Sequence, residues 1–414
     1  MPDRKRFRQY HLRNGMVVYY RPAKCGIANM RIVLPFGHMH NCMGILPGAA
    51  HMLEHNCCNR SERYPENGSF KKFVELNGGM TNATTFMRST QYIAEVPYLH
   101  MRATWDGLVS QVFEPIFRAR NTRLEATVIS NERNDERWYP AGNEVGHYLS
   151  THVYFDHLVS LRQTMGSDKD LVSFTPAILR EYHRNYFSRK VYAIVAGEID
   201  SEYVCKTLEG VPTQDIKIPI HIETPKWVKK EYHERKFRDV GRWEYHLSGM
   251  FHEPLDVGTI EAINFILGYV ANTTHGPLYE WLRTRKGITY DTNPSQCVNE
   301  FCHGWMLLFP MNNRSHVQYV RDNVYKHMRK ALRDTKRLDL EADRILNGRI
   351  FNLQTIGSQV DAAQNDLRYF DRIVSETEIN SYINKMRNVD FVQSIYSRYF
   401  APEHVGEFCA VPKS

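Results

Sequence analysis

The stretch AAHMLEHNCC at residues 49–58 places two histidines and a glutamate within five positions. If the stretch is helical, His51 and His55 are four residues apart on one face, so both imidazoles can bind one metal ion. Glu54 lies on nearly the same face, where its carboxylate can take a proton from a metal-bound water that attacks a peptide carbonyl. The alternative is an ordinary polar helix surface, although composition alone predicts only about 0.06 chance occurrences of the pattern.

A catalytic zinc ion usually has three protein ligands and one water, so a third ligand must come from another element. The segment NTRLEATVISNERNDERW at 121–138 predicts a helix that carries Glu125, Glu132 and Glu136. Glu125 and Glu132 are seven residues apart and share a face. Composition does not choose among the three, and a helix with this many charges is often solvent-facing. The helix therefore offers candidate ligands without identifying one.

Eight cysteines occur in the chain, without the CxxC pairs or the density of a disulfide framework. Free thiols in a reducing compartment are therefore expected. Cys57 and Cys58 follow the histidines closely, but adjacent helical residues point about 100° apart. Both thiols cannot easily join His51 and His55 on one ion, so we do not expect cysteine ligands.

Strand-like and helical segments alternate along the chain. RIVLPFG, QYIAEVP and VYAIVAG have the apolar, β-branched character of strands, whereas residues 103–118 and 121–138 have the apolar spacing of amphipathic helices. We therefore predict an α+β fold with two related domains, each a mixed or mainly antiparallel sheet covered by helices.

Two segments of the first half recur in the second half. In a helix that leads into a buried strand, Tyr186 matches Tyr399 at an offset of 213 residues. In a helix that ends at a glycine before a Thr-rich stretch, Gly79 matches Gly287 at an offset of 208 residues. Because the two offsets agree within a few residues, we infer a duplicated domain of about 200 residues.

The predicted boundary between the halves is an extended, proline-containing linker at 209–227, EGVPTQDIKIPIHIETPKW. The expected domains are an N-terminal metal-binding domain at 1–208 and a C-terminal domain of similar fold at 228–414. A chain of 414 residues suits two such domains.

The net charge of +7 is spread along the chain, apart from the basic run KWVKKEYHERKFR at 226–238. We interpret that run as a solvated linker or edge strand and predict no nucleic-acid partner. No apolar run is long enough to span a bilayer, and the basic N-terminus is not followed by the apolar core of a secretory signal. A cytoplasmic location is expected, or an organelle matrix if the chain is a mature form.

The chain resembles the pitrilysin or insulinase metallopeptidases, whose inverted zinc motif is His-x-x-Glu-His. In that family a glutamate ligand follows the second histidine by 77 residues, and another functional glutamate precedes this ligand by seven. Those positions hold Glu132 and Glu125 here. The resemblance implies that His51, His55 and Glu132 bind one Zn²⁺ per chain, with Glu54 as general base and Glu125 as a further catalytic carboxylate.

A second similarity lies in VELNGGMTNATTFMRSTQYIAEVP at 74–97. This stretch looks like the family's edge strand, which pairs with the backbone of a bound peptide. The resemblance implies substrate binding by Gly79, Asn82, Ala83 and Thr84.

The second half contains GPLYEWLRTRKGITY at 276–290, which is similar to the family's Arg...Gly-Leu-x-Tyr stretch. In the family, this arginine and tyrosine reach the catalytic site from the opposing domain. Arg283 and Tyr290 hold the two positions here. The resemblance implies that they bind the substrate carbonyl and stabilise the oxyanion.

The resemblance covers nearly the whole chain and fits the short members of the family, such as the mitochondrial processing peptidase subunits. Such chains pair to close a chamber around the substrate. Because this chain carries both the zinc residues and the Arg283 and Tyr290 pair, a homodimer is expected, with a heterodimer of related subunits as the alternative.

The resemblance implies a zinc endopeptidase that hydrolyses unfolded peptides in an enclosed chamber. The alternative is a non-catalytic scaffold or assembly subunit, but such relatives have typically lost the zinc residues. FGHMHNCMGILPGAAH at 36–51 departs from the family pattern and adds His38 and His40. We interpret these two histidines as a variation of the pocket wall rather than a second metal site.

Overall fold

The structure of the protein is a computed structural model. It describes residues 7–38, 40, 45–86, 88–134, 145, 165–186, 190–213, 231–238, 240–251, 255–272, 274–298 and 303–413.

The first half of the chain builds a six-stranded sheet. Its strands are β1 (Arg8–His11), β2 (Val17–Pro22), β3 (Ile27–Leu34), β4 (Met80–Thr85), β5 (Thr90–Pro97) and β6 (Tyr192–Gly197). Their spatial order is β1-β2-β6-β3-β5-β4. Strands β2 and β6 are parallel, and the other neighbours are antiparallel. The sheet is therefore mixed and mainly antiparallel, and β4 lies at one edge.

The second half builds a five-stranded sheet with the same topology. Its strands are β7 (His233–Phe237), β8 (Trp243–Phe251), β9 (Asn293–Val298), β10 (His303–Met311) and β11 (Val405–Pro412). Their order is β7-β11-β8-β10-β9, and only β7 and β11 are parallel. Each strand corresponds in sequence order and direction to one of β2 to β6. The predicted α+β fold with two related sheets is confirmed.

Helices connect and cover these strands. In the first half they are α1 (Ala49–Asn59), α2 (Ser69–Leu76), α3 (Met101–Phe113), α4 (Ala119–Asn134), α5 (Asp168–Val172), α6 (Pro176–Tyr186) and α7 (Ser201–Glu209). In the second half they are α8 (Val257–Ala271), α9 (Pro277–Tyr279, continued by a π-helical turn at Glu280–Arg285), α10 (Arg314–Ala331), α11 (Thr335–Asn352), α12 (Ile356–Phe370), α13 (Glu376–Lys385) and α14 (Val389–Tyr399).

Two predicted helices differ from the observed ones. The helix expected over 103–118 ends at Phe113. Pro115 has no backbone N–H for a further helical hydrogen bond, and the chain there instead forms an isolated bridge with Ser61. The helix expected over 121–138 is observed as α4, whose described part ends at Asn134. Its last four predicted residues, which include Glu136, lie outside the described residues.

Each sheet packs its own helices on one face, around one large apolar cluster per half. The opposite face of the first sheet is covered by a helix of the second half. Val360 and Leu367 of α12 pack against Ile194 and Ala196 of β6. Arg31 of β3 extends this contact through an ion pair of 2.7 Å with Asp361.

Reciprocally, Val145 from the first half packs against Phe237 and Phe408 of the second sheet. The two halves therefore share core residues. The predicted linker at 209–227 lies largely outside the described residues, so the proposed domain boundaries stay a prediction. Across the described helices, none combines the length and the apolar character needed to traverse a lipid bilayer.

Candidate functional site

The HMLEH motif lies on α1, which begins after a tight turn. Gly48 has φ of 82°, and a Cβ there would lie 2.5 Å from the carbonyl oxygen of Met165. Only glycine suits this position, because both the positive φ and the close approach exclude a side chain. The first turn of α1 thus packs directly against backbone. From this start, His51 and Glu54 are buried and His55 is half-buried.

Three side chains from α1 and α4 converge on one point. The Nε2 atoms of His51 and His55 lie 3.8 Å and 3.5 Å from Oε2 of Glu132. Within the described part of the chain, these residues form the one group of three potential ligands whose atoms all lie within 4.8 Å of one another. Tetrahedral ligands at about 2.0–2.1 Å from zinc are about 3.4 Å apart. The donor set therefore fits a zinc ion.

Glu125 lies behind this group. Its Oε2 is 2.9 Å from Nδ1 of His55, and its Oε1 accepts a hydrogen bond of 3.0 Å from the Asn59 side chain. Glu125 is seven residues before Glu132 on α4, so the two carboxylates contact opposite nitrogens of the His55 ring. A carboxylate in this position fixes the ring orientation and makes the imidazole a better ligand.

The charges of the group complement a cation. Burial, and next the neighbouring His55, lower the pKa of His51. Burial also lowers the pKa of His55, but its hydrogen bonds to Glu125 and Glu132 outweigh that effect and raise the pKa to about 9. Without a metal, a proton is thus held on His55 between two carboxylates. A metal ion would displace that proton, since imidazole ligands bind in the neutral form.

Glu54 stands beside the ligand group and is held by Thr85 of β4. The Thr85 hydroxyl donates to Oε2 of Glu54 at 2.5 Å. The hydroxyl of Thr90 lies 3.4 Å from that of Thr85 and donates its own proton to the Phe36 carbonyl at 2.7 Å. The single Thr85 proton is therefore directed to Glu54. Burial raises the pKa of Glu54, and the Thr85 hydrogen bond opposes this rise.

The predicted substrate-binding residues lie on or next to β4, the edge strand beside the metal group. Gly79 precedes the strand, and a Cβ there would lie 2.5 Å from the Glu95 carbonyl oxygen. Asn82, Ala83 and Thr84 lie within the strand and pair only with β5 among the described strands. The unpaired side of β4 can accept a further strand. Peptide binding there stays a prediction.

Arg283 and Tyr290 contact each other in the second half. Arg283 lies in the π-helical turn after α9, and its Nη1 donates to the Tyr290 carbonyl at 2.6 Å. Its guanidinium also lies 4.1 Å from the centre of the Tyr290 ring. The Tyr290 side chain is 71% exposed. In the regions that the structure describes, no hydrogen bond or ion pair joins either residue to the metal group of the same chain.

The two additional histidines occupy different surroundings. The ring of His38 lies beside the ligand group, with its centroid 6.2 Å from that of His51. His40 is buried and packs edge-on against Phe36 at 4.7 Å, and burial lowers its pKa to about 4. Neither histidine belongs to a metal-binding group formed by the described residues. His38 forms part of the wall next to His51, whereas His40 belongs to the core.

Cys57 and Cys58 contribute no atom to the ligand group. Cys57 is buried in the core, and burial raises the pKa of its thiol to about 12. The Cys58 sulfur accepts a hydrogen bond of 3.1 Å from Gln111. Thiols with a raised pKa stay protonated at neutral pH and are poor metal ligands and nucleophiles.

Sequence reasoning missed two groups at this site. Thr85 was not selected, although strand alternation places it on the face opposite Thr84, towards α1. Asn59 was also missed, although it lies four residues after His55 and therefore one helical turn further along the same face. Both could have been found once the inward faces of β4 and α1 were assigned.

Comparisons with known proteins agree with the fold. The profile of the family described as Insulinase (Peptidase family M16) matches residues 17–158. Protease 3 of Escherichia coli (strain K12) is 23% identical over 314 residues, which cover 70% of this chain and 32% of that protein. The match therefore spans about a third of the length of this curated relative.

Two solved structures have the same fold over almost the full chain. A protease from Helicobacter pylori matches with a TM-score of 0.81 and 17% identity, covering 98% of this chain and 99% of that chain. A peptidase M16 inactive domain from Pseudomonas fluorescens matches with a TM-score of 0.81 and 12% identity, covering 99% and 98%. At these identities the structures show the fold alone.

The matched profile spans the HMLEH motif and Glu132, and the solved structures extend the likeness to both halves. The fold, the motif and the curated relatives lead to the same conclusion. The family model, the curated relatives and the shared fold together support membership of the chain in the insulinase family of peptidases, family M16.

Proposed function

We propose that this protein is a zinc-dependent endopeptidase that hydrolyses unfolded peptides. The observation that carries the proposal is the placement of Glu54 beside the group of His51, His55 and Glu132. Three potential ligands lie within 4.8 Å of one another, and a separate buried carboxylate is held next to them. A solvent-facing polar helix does not need such an arrangement, whereas metal-assisted hydrolysis does.

In this mechanism, His51, His55 and Glu132 would hold a zinc ion, which would supply Lewis-acid polarisation of the peptide carbonyl and would lower the pKa of a water. Glu54 accepts the proton of the attacking water and then donates that proton to the leaving amine. Glu125 keeps His55 oriented by its hydrogen bond to Nδ1.

The substrate is proposed to bind in extended form along the open edge of β4. Backbone pairing at a sheet edge selects unfolded segments and is tolerant of side-chain sequence. Arg283 and Tyr290 are proposed to act on the site of a second copy of the chain, where they stabilise the oxyanion. A homodimer that encloses a chamber would thus complete two sites, each from both copies.

The test combines metal analysis with hydrolysis of an internally quenched, unstructured peptide by the purified full chain. The proposal predicts about one zinc per chain, loss of hydrolysis on chelation and its recovery on adding zinc. A Glu54→Gln variant should retain zinc and lose most activity, because a general base contributes about 10²- to 10⁴-fold. Hydrolysis that survives complete zinc removal, or that is unchanged in Glu54→Gln, would refute the proposal.

A second candidate function is a non-catalytic subunit, which the likeness to an inactive M16 domain favours at the level of fold. The intact group of His51, Glu54, His55 and Glu132 argues against it. If the chain expressed alone binds zinc but hydrolyses no peptide, it is either a non-catalytic subunit or the catalytic subunit of a heterodimer. Addition of a related subunit that restores hydrolysis would identify the heterodimer.

A further inference from the structure

The last described turn of α4 carries Glu132 and its neighbour Arg133, which makes two polar contacts outside the helix. Nη1 of Arg133 donates to the carbonyl oxygen of Gly166, and Nη2 lies 2.6 Å from Oδ1 of Asp168. The Ser130 hydroxyl donates to the same Asp168 oxygen at 2.7 Å. The Arg133 side chain is only 15% exposed. Two residues of α4 therefore tie its end to the segment at 166–168.

That segment packs in turn against the beginning of α1. Gly166 has φ of 77°, and a Cβ there would lie 2.6 Å from the carbonyl oxygen of Pro47. The Cβ position of Gly48 lies equally close to the Met165 carbonyl oxygen, at 2.5 Å. Two backbones thus meet at paired glycines, with no side chain between them. Such a contact leaves little freedom for one segment to move relative to the other.

These contacts form a chain of connections from Glu132 to its partner ligands. Arg133 is the neighbour of Glu132 on α4, Gly166 is bound by Arg133, and Gly166 packs against the turn that starts α1. His51 lies in the first turn of α1. We name this connection the α4–α1 brace, consisting of Arg133, Gly166, Asp168, Pro47 and Gly48.

The brace acts at the end of α4, beyond most of the direct hydrogen bonds between α1 and α4. The direct hydrogen bonds between the described parts of these helices, apart from those of Glu132 itself, involve Thr122 and Glu125 of α4. Thr122 donates to Asn56, and Glu125 contacts His55 and Asn59. Glu132 lies seven residues beyond Glu125, which is about 10 Å further along the helix axis. Its side chain is 40% exposed. Core packing of Ile129 anchors α4 one turn before Glu132, and the brace adds polar contacts at the end that supplies the third ligand.

The simpler interpretation is an ordinary surface ion pair. Asp168 is 70% exposed, and exposed ion pairs typically contribute about 0–1 kcal/mol. The contact with the Gly166 carbonyl distinguishes the brace from such a pair, because this oxygen belongs to a backbone segment held against α1. Arg133 is therefore fixed at two points by its planar guanidinium, which a lysine cannot reproduce.

We propose that Arg133 is a positioning residue that fixes Glu132 relative to His51 and His55 for metal binding, through the α4–α1 brace. The inference rests on the proposed function in one respect, the metal site itself. Positioning and simple electrostatics predict opposite effects of Arg133 removal on metal affinity. Removing a positive charge next to a cation site should strengthen metal binding, whereas loss of positioning should weaken it.

The test measures the Zn²⁺ affinity of the full chain by competition with a chromophoric chelator. Arg133→Lys keeps the charge but loses the two-point contact, and Arg133→Gln loses both. We expect both variants to bind Zn²⁺ about tenfold more weakly, within the range typical for residues that orient metal ligands. The control is Arg102→Gln, which removes an ion pair of the same 2.6 Å length to Asp200 at a distance from α1 and α4. Its Zn²⁺ affinity should match the parent.

The melting temperature of each metal-free variant is measured in parallel, because a purely structural role would lower that temperature and leave Zn²⁺ affinity unchanged. Affinities within threefold of the parent in both Arg133 variants overturn the inference and leave the proposed function intact. Tighter binding by Arg133→Gln with unchanged binding by Arg133→Lys overturns it in favour of electrostatics. A parent chain that binds no Zn²⁺ overturns the proposed function, and the inference with it.

Discussion

Replacement of Thr85 by valine is expected to impair hydrolysis by releasing the Glu54 carboxylate. Valine has nearly the shape of threonine but cannot donate the hydrogen bond of 2.5 Å that Oε2 of Glu54 accepts. A hydrogen bond to a buried charged group contributes about 1.5–3 kcal/mol, and about 1.4 kcal/mol corresponds to tenfold in rate. We therefore expect kcat to fall by about 10- to 100-fold.

KM should change little, because Thr85 faces α1 rather than the open edge of β4. Thr85→Ser retains a hydroxyl and should restore kcat to within about threefold. The matched control is Thr81→Val in the same strand, whose hydroxyl donates to the Ile93 carbonyl at 2.7 Å and not to Glu54. The assay is steady-state hydrolysis of the quenched peptide at equal zinc content. If Thr85→Val keeps the parent kcat, or if Thr81→Val loses as much, the hydrogen bond does not orient the base.

Two further predictions concern metal affinity and pH. Glu125→Gln should weaken Zn²⁺ binding by about tenfold in the chelator competition assay, because the amide is a poorer partner for Nδ1 of His55; unchanged affinity would show that Glu125 does not act through His55. Burial lowers the pKa of His183 to about 4, while its Nε2 is 2.8 Å from the Val112 carbonyl oxygen. The His183 imidazole takes up a proton near pH 6.5 in the unfolded chain but only near pH 4 in the folded chain. The free energy of unfolding therefore decreases by up to about 3 kcal/mol as pH falls from 6.5 to about 4. Chemical unfolding of His183→Gln should lack this part of the pH dependence, and identical profiles for the two proteins would contradict the assignment.

The sequence was most informative where periodicity and spacing were local. The two echoes, one ending at Gly287 and the other at Tyr399, predicted a repeated unit. The second sheet repeats the strand order of β2 to β6 in the first. The HMLEH pattern predicted ligands on one helical face, which depends only on helical geometry. The helix over 103–118 was predicted too long. Its apolar spacing continues past Pro115, but a helical backbone cannot continue there without the missing N–H.

Other features depend on contacts between distant segments, which no local pattern encodes. Composition could not identify whether Glu125 or Glu132 is the third ligand. The two carboxylates differ in the His55 nitrogen that each one contacts, which is Nδ1 for Glu125 and Nε2 for Glu132. Arg133 has the sequence environment of any charged helix end. Its role depends on Gly166, 33 residues away, being packed against α1. The second half has an apolar helix, α8, where the first half has α1, so one repeat retains the metal residues and the other does not.

The packing of α12 on the first sheet has a consequence for how the chain can be divided. Removal of the second half would expose Ile194 and Ala196 of β6 and leave Arg31, which is only 5% exposed, without Asp361 and Gln364. The two halves thus share a topology, and we expect that neither is a unit of folding by itself. Thermal unfolding should be a single cooperative transition, and limited proteolysis between the halves should release no stable fragment. We therefore expect the two related halves to fold and unfold together.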